Sequence, residues 1–154
     1  MTNLRYVPFE IAMADALVSM WREAFEYGVG IVDPHPIEAQ RAYLVERVLP
    51  GHAVTVALDG DERIVGFVAS SAESVSQLHV RVGCHGRGIG RELLQRAKAT
   101  STGSLWLYTF ARNARARRFY ERNGFAAAAF GFEPFWQLDD VRYEWRRDSL
   151  SSAA

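Results

Sequence analysis

Cysteine is nearly absent: Cys84 is the single one in 154 residues. One thiol excludes a disulfide framework and a cysteine-built zinc site. The four histidines, His35, His52, His79 and His85, show no metal-binding spacing, so no metal is expected. Net charge is also missing, with 18 Lys+Arg against 18 Asp+Glu. Nothing global therefore draws the chain to nucleic acid or to an anionic membrane, and neither is an expected partner. No apolar run approaches the roughly 18 residues of a membrane span, and Met1–Tyr6 lacks a signal-peptide core, which predicts a cytoplasmic protein. Internal repeats and low-complexity linkers are absent as well.

What remains is an ordinary globular composition, 49% hydrophobic and 23% charged. A chain of this length buries about 70% of its unfolded surface in one domain. That domain is expected over 1–148, with a loose polar tail at 149–154. Leu4–Val7 reads as a strand, and apolar spacing predicts a helix over Phe9–Tyr27 that Gly28 and Gly30 end. Pro36 suits the first turn of a second helix reaching Val48. Strands follow at His52–Leu58, Arg63–Ser71 and Val75–Val82, then a helix to Thr100. Ser104–Phe110 is a strand and Asn113–Arg122 a helix; Ala126–Phe132 and Val141–Arg146 close the series. The order βααβββαβαββ is mixed α/β, with a parallel strand pair either side of the helix that follows Val82.

The most informative stretch is Gly86-Arg87-Gly88-Ile89-Gly90, set between an apolar strand and a helix. Glycines there let backbone N–H groups turn inward, and the free amides of the next helix point the same way. Such a loop suits a pyrophosphate, although by itself it also reads as a tight strand-to-helix turn. One βα unit later comes Asn113-Ala114-Arg115-Ala116-Arg117-Arg118-Phe119-Tyr120-Glu121-Arg122-Asn123-Gly124-Phe125. On a helix, Asn113, Ala116 and Tyr120 share one face, and Asn113 suits the N-cap.

Together the two segments resemble the GNAT superfamily of acetyl-CoA-dependent N-acetyltransferases, over residues 75–132. The first is similar to its [Q/R]-x-x-G-x-[G/A] pyrophosphate loop, with His85 where the family has Gln or Arg. The second is similar to its N-x-x-A-x-x-F-Y-x-x-x-G-F helix. The resemblance implies one α/β (α+β) domain. Its central sheet is mixed and mostly antiparallel, with flanking helices and a parallel pair, 75–82 with 104–110, that splays apart. It implies acetyl-CoA as cosubstrate, held by Val80, Val82, His85, Gly86, Arg87, Gly88, Ile89, Gly90, Asn113, Ala116 and Tyr120. One of Arg115, Arg117, Arg118 and Arg122 would meet the adenosine 3′-phosphate.

By the same resemblance Tyr120 protonates the leaving thiolate. The chemistry is sensible, because a thiol of pKa near 8.5 leaves while a phenol near 10 stays protonated. The acceptor must be a neutral primary amine before it attacks, which calls for a base, and Glu73 is the candidate. Trp21, Phe25, Tyr27 and Trp136 are expected to shape the acceptor pocket, alongside Phe130, Phe132 and Phe135; core packing is the other reading of these aromatics. The activity implied is acetyl transfer to a small-molecule or peptide amine by direct attack in a ternary complex. Cys84 lacks the His–Asp pattern of a covalent route. A non-catalytic acyl-CoA-binding or ligand-sensing module is the alternative, and a homodimer stays open.

Overall fold

The computed structural model describes residues 3–147, so the tail expected at 149–154 and the limit of the domain at 148 lie outside the described residues. The chain opens with β1 (Arg5–Pro8). A 3-10 turn at Ile11–Met13 leads into α1 (Ala14–Val29). The helix runs past Gly28, contrary to the sequence expectation, and stops at Gly30 in the left-handed conformation. Glycine is needed at position 28 because the start of α4 passes close by: a Cβ there would stand 2.8 Å from Nδ2 of Asn113. Pro36 is the N-cap of α2 (Ile37–Tyr43), whose end widens into a π turn at Leu44–Val48 and then tightens into a 3-10 turn at Leu49–Gly51.

β2 (Ala53–Leu58), β3 (Ile64–Ser70) and β4 (Val75–Val80) follow, and with β1 they form an antiparallel sheet in the order β1-β2-β3-β4. β3 reads Ile-Val-Gly-Phe-Val-Ala-Ser and is buried throughout, as expected of a strand covered on both faces. On one face Val56, Phe67 and Ala69 meet Leu17, Val18, Trp21 and Leu44 of the first helices. On the other, Ala57, Val65 and Val68 meet Ile89, Leu93 and Leu94 of α3 (Ile89–Thr100). Gly66 allows that approach, since a Cβ there would lie 3.0 Å from Ile89 and 3.1 Å from the carbonyl oxygen of His79.

β5 (Ser104–Phe110), α4 (Ala114–Arg122), β6 (Ala126–Glu133) and β7 (Leu138–Arg146) complete the chain. The last strands form a second antiparallel sheet, β5-β7-β6. β4 ends two residues and β7 begins three residues earlier than the apolar pattern alone predicts. The two sheets touch through one parallel bridge, Ser74 to Trp106. Beyond it β4 and β5 separate, so the expected parallel pair is a splay along nearly its whole length.

His79 marks how dry the ground beside the splay is. Its ring lies 5.8 Å from Trp21 and 5.5 Å from Phe67, centre to centre, and burial lowers its pKa to about 4. The unfolded chain takes up this proton near pH 6.5. Stability is therefore full above about pH 6.5 and is lost as the pH falls towards 4. Allowing for solvent on the cavity side, the loss is about 2 kcal/mol. Melting curves between pH 7.5 and 4 should fall less steeply for His79→Gln than for the parent. Equal slopes would mean that His79 is not held neutral.

Candidate active site

The glycine loop is set by α3. Gly86 and Gly88 have φ of 83° and 82°, left-handed values that favour glycine. Gly88 caps the helix without a side-chain bond. The first amide to find a helical partner is that of Glu92, bonded to the Gly88 carbonyl at 3.0 Å. Among the described residues nothing accepts a bond from the backbone N–H groups of 85–91. Consecutive free donors at a helix start form a cradle for an anion.

A cleft of about 760 Å³ opens on this loop and is lined by His79, Val80, Cys84, His85, Gly86, Gly88, Gly90, Asn113, Ala116 and Tyr120. Its charged walls are all basic: Arg91, Lys98, Arg115 and Arg122 line it, and no carboxylate does. Burial, then the Arg115 charge, lowers the pKa of His85, whose ring stacks on Tyr27 at 6.1 Å. Of the helix arginines, Arg115 and Arg122 face this cleft. Arg117 is turned to the Tyr143 hydroxyl, to which its Nε donates at 3.0 Å. Of the remaining loop residues, Ile89 is buried, while Val82 and Arg87 are exposed, and none of the three lines the cleft.

A second cavity, about 780 Å³, lies between α1, α2 and the β6–β7 hairpin. Trp21, Phe25, Tyr43, Phe135 and Trp136 line it. Phe25 is 4.9 Å from Trp136 and 6.2 Å from Phe110, and His35 stacks on Phe135 at 4.9 Å. The two voids share Ala24, Leu78, His79, Asn113, Ala116 and Tyr120. They meet in the splay.

Tyr120 stands at that junction. It is 7% exposed, and its hydroxyl makes no hydrogen bond within the described residues. No side-chain polar atom among them is both occluded and unpartnered, so this hydroxyl opens onto the cavities. Burial raises its pKa further, keeping the phenol protonated. Asn113 caps α4, its Oδ1 accepting from the Ala116 amide at 3.1 Å, and so fixes the helix that carries Tyr120.

Three expectations need correcting. Tyr27 lines the basic cleft with His85, not the aromatic cavity, because α1 continues past it and turns it towards the glycine loop. Glu73 is exposed and lines neither void; its carbonyl accepts from the Trp106 amide at the closed end of the splay. Phe130 and Phe132 project from the edge strand at 69% and 59% exposure, outside the aromatic cavity. The sequence reading missed Asp33, His35, Glu133 and Asp140, all on the second cavity. They come together through tertiary contacts that no local motif signals. Among the described residues no group of three His, Cys, Asp or Glu is placed to hold a metal ion, and no helix is long and apolar enough to cross a membrane.

Residues 50–127, just over half of the chain, match the family model described as "Acetyltransferase (GNAT) domain". The fold recurs in the PaiA N-acetyltransferase from Thermoplasma acidophilum in complex with coenzyme A. That match has 18% identity and a TM-score of 0.73, covering 94% of this chain and 99% of that one. A GNAT-family acetyltransferase from Staphylococcus aureus matches at 16% identity, TM-score 0.75, with 94% and 99% covered. An acetyltransferase from Thermus thermophilus matches at 20% identity, TM-score 0.72, with 93% and 96% covered. No curated protein is similar in sequence. A strand–loop–helix unit with free amides, a split sheet and a family model spanning both agree: the chain belongs to the GNAT acetyltransferases.

Proposed function

We propose that the protein is an N-acetyltransferase that moves an acetyl group from acetyl-CoA to a primary amine, both bound at once. The observation that carries this reading is the meeting of two voids at one unpartnered phenol, Tyr120. The fit to the cosubstrate is chemical. Free amides at 86–90 suit a pyrophosphate, and a cleft walled by Arg91, Lys98, Arg115 and Arg122 suits a polyanion. Arg115 and Arg122, the helix arginines that line this cleft, are the candidates for the 3′-phosphate. Strand edges unpaired in the splay, near Val80, offer amide partners to an extended arm.

When bound, acetyl-CoA supplies the acetyl thioester. Tyr120 holds at its Oη the proton that the departing sulfur takes up. Asn113 positions Tyr120 through its cap of α4. The attacking nitrogen forms a bond to the carbonyl carbon as the carbon–sulfur bond breaks, and it sheds one proton to solvent, from which Tyr120 regains the proton it gave to sulfur. Water takes the place of Glu73 as proton acceptor in this reading, since Glu73 lines neither void. The setting is cytoplasmic in the same reading.

Saturating acetyl-CoA, at about 100 times its dissociation constant, stabilises by about 2.7 kcal/mol. For a domain of this size that raises the melting point by about 5–11 °C. NAD at the same concentration should do much less, and an equal shift would sink the assignment of the basic cleft.

Tyr120→Phe keeps the packing against Phe125 and Tyr143, at 5.6 and 6.1 Å, so the fold and the acetyl-CoA shift should hold. Turnover, followed by release of free CoA thiol, should fall about 10²–10⁴-fold. If single-turnover acetyl transfer is unchanged, Tyr120 only packs.

A further inference from the structure

The two voids carry opposite charge. The cofactor-side cleft has only basic charged walls, whereas Asp33, Glu133 and Asp140 face the aromatic cavity against one arginine, Arg22. Arg22 is already engaged: its Nη2 lies 3.4 Å from Asp33 Oδ2, and its Nε donates to Gln40 at 2.9 Å. Asp33 also holds His35, accepting at Oδ1 from the backbone amide at 2.9 Å and meeting Nδ1 at 2.7 Å. Asp33 and Arg22 thus balance each other. Glu133 and Asp140 are left. Glu133 uses Oε1 to accept from the Trp136 amide at 2.6 Å. Neither carboxylate has an ion-pair partner among the described residues.

A carboxylate pair alone would only be a solvated surface. Here the same cavity holds the hydroxyl of Tyr120, more than nine-tenths buried, without a partner and open to the void. Such a group awaits a ligand at the opposite end from the acids. The arrangement follows from the ladder. Tyr120 packs on Tyr143, whereas Asp140, an odd number of residues along the regular β7, projects to the other face of the sheet together with Glu133. Phe25, Phe110 and Trp136 line the same cavity, walls that take an alkyl chain and attract a cation to their faces.

We propose that the acceptor is a linear diamine. One nitrogen, neutral, is presented at Tyr120, and the other, an ammonium, is held by Glu133 and Asp140, with an alkyl chain between them along the aromatic walls of the same void. This rests on the acetyltransferase reading for the first nitrogen and on the charge of the cavity for the second. The pKa of the Asp140 carboxyl is raised from its ordinary value, first by burial and then by Glu133 and Asp139. An ammonium relieves that repulsion, whereas a second carboxylate on the ligand would add to it.

The test is calorimetric binding to the full chain saturated with CoA, which needs no turnover. The probes are 1,5-diaminopentane, n-pentylamine and 5-aminopentanoate. The diamine is expected to bind at least 10-fold more tightly than the monoamine, and the amino acid most weakly. Asp140→Asn and Glu133→Gln should each reduce the diamine-to-monoamine ratio about 10-fold; Gln keeps an oxygen for the Trp136 amide. Glu144→Gln, on the same strand but paired with Arg142 at 2.9 Å and outside the cavity, should leave the ratio unchanged. Equal binding of diamine and monoamine, or preference for the amino acid, overturns the proposal. Diamine preference without CoA release upon adding acetyl-CoA would uphold it and defeat the acetyltransferase reading instead.

Discussion

Everything in this molecule depends on where its sheet is allowed to come apart. The closed end is clamped over a few residues. The Ser71 amide donates to the Ser74 carbonyl at 2.9 Å, and Ser71 Oγ accepts from the amides of Glu73 and Ser74. Across the seam, Thr102 and Trp106 donate to the carbonyls of Ala72 and Glu73. Past that clamp the facing edges of β4 and β5 have no ladder, which in a packed interior would be costly. The opening persists because the halves are tied together elsewhere. Leu93 and Leu94 of α3 share one apolar cluster with Val65 of the first sheet and with Leu105 and Tyr143 of the second, while α1 and α2 cover the first sheet's other face. The voids are the room left where neither cluster reaches.

That division explains the placement of Tyr120. It belongs to the hydrophobic cluster that includes Leu105, Leu107, Phe125 and Tyr143, so its ring is fixed by packing. Only its hydroxyl is free, at the one place where both cavities reach it. A group locked by apolar contacts on every side but one costs little to preorganise, and preorganised donors are what acyl transfer draws on.

How far the sequence disclosed this depended on range. The glycine loop, the helix after it and the Asn113–Tyr120 face were legible because each depends on neighbours within a few residues. All the elements appear in the predicted order, and the family was recognisable from the two motifs. The misplacements arise where distant contacts decide. Gly28 reads as a helix end, yet it lies inside α1 at a position where a Cβ would collide with Asn113. Tyr27 then turns to the basic side, while Phe135 and Trp136, of the late aromatics assigned to the acceptor, stay on its cavity. Glu133 and Asp140 gave no signal at all. Two strands must adopt the register that pairs Glu133 with Leu138 and Gly131 with Asp140 before these acids face one void.

The balance of 18 basic and 18 acidic residues acquires a meaning from the separation of charge between the cavities. Seen from beyond a Debye length, about 8 Å at physiological ionic strength, both lobes of potential are screened, and the chain as a whole carries no net charge. Distant ions are therefore neither drawn in nor driven off, and encounter rates should be those of a neutral protein, with little dependence on salt. Discrimination by sign begins only at the mouths of the voids. A polyanion and a polycation can then approach one small domain together without competing for the same surface.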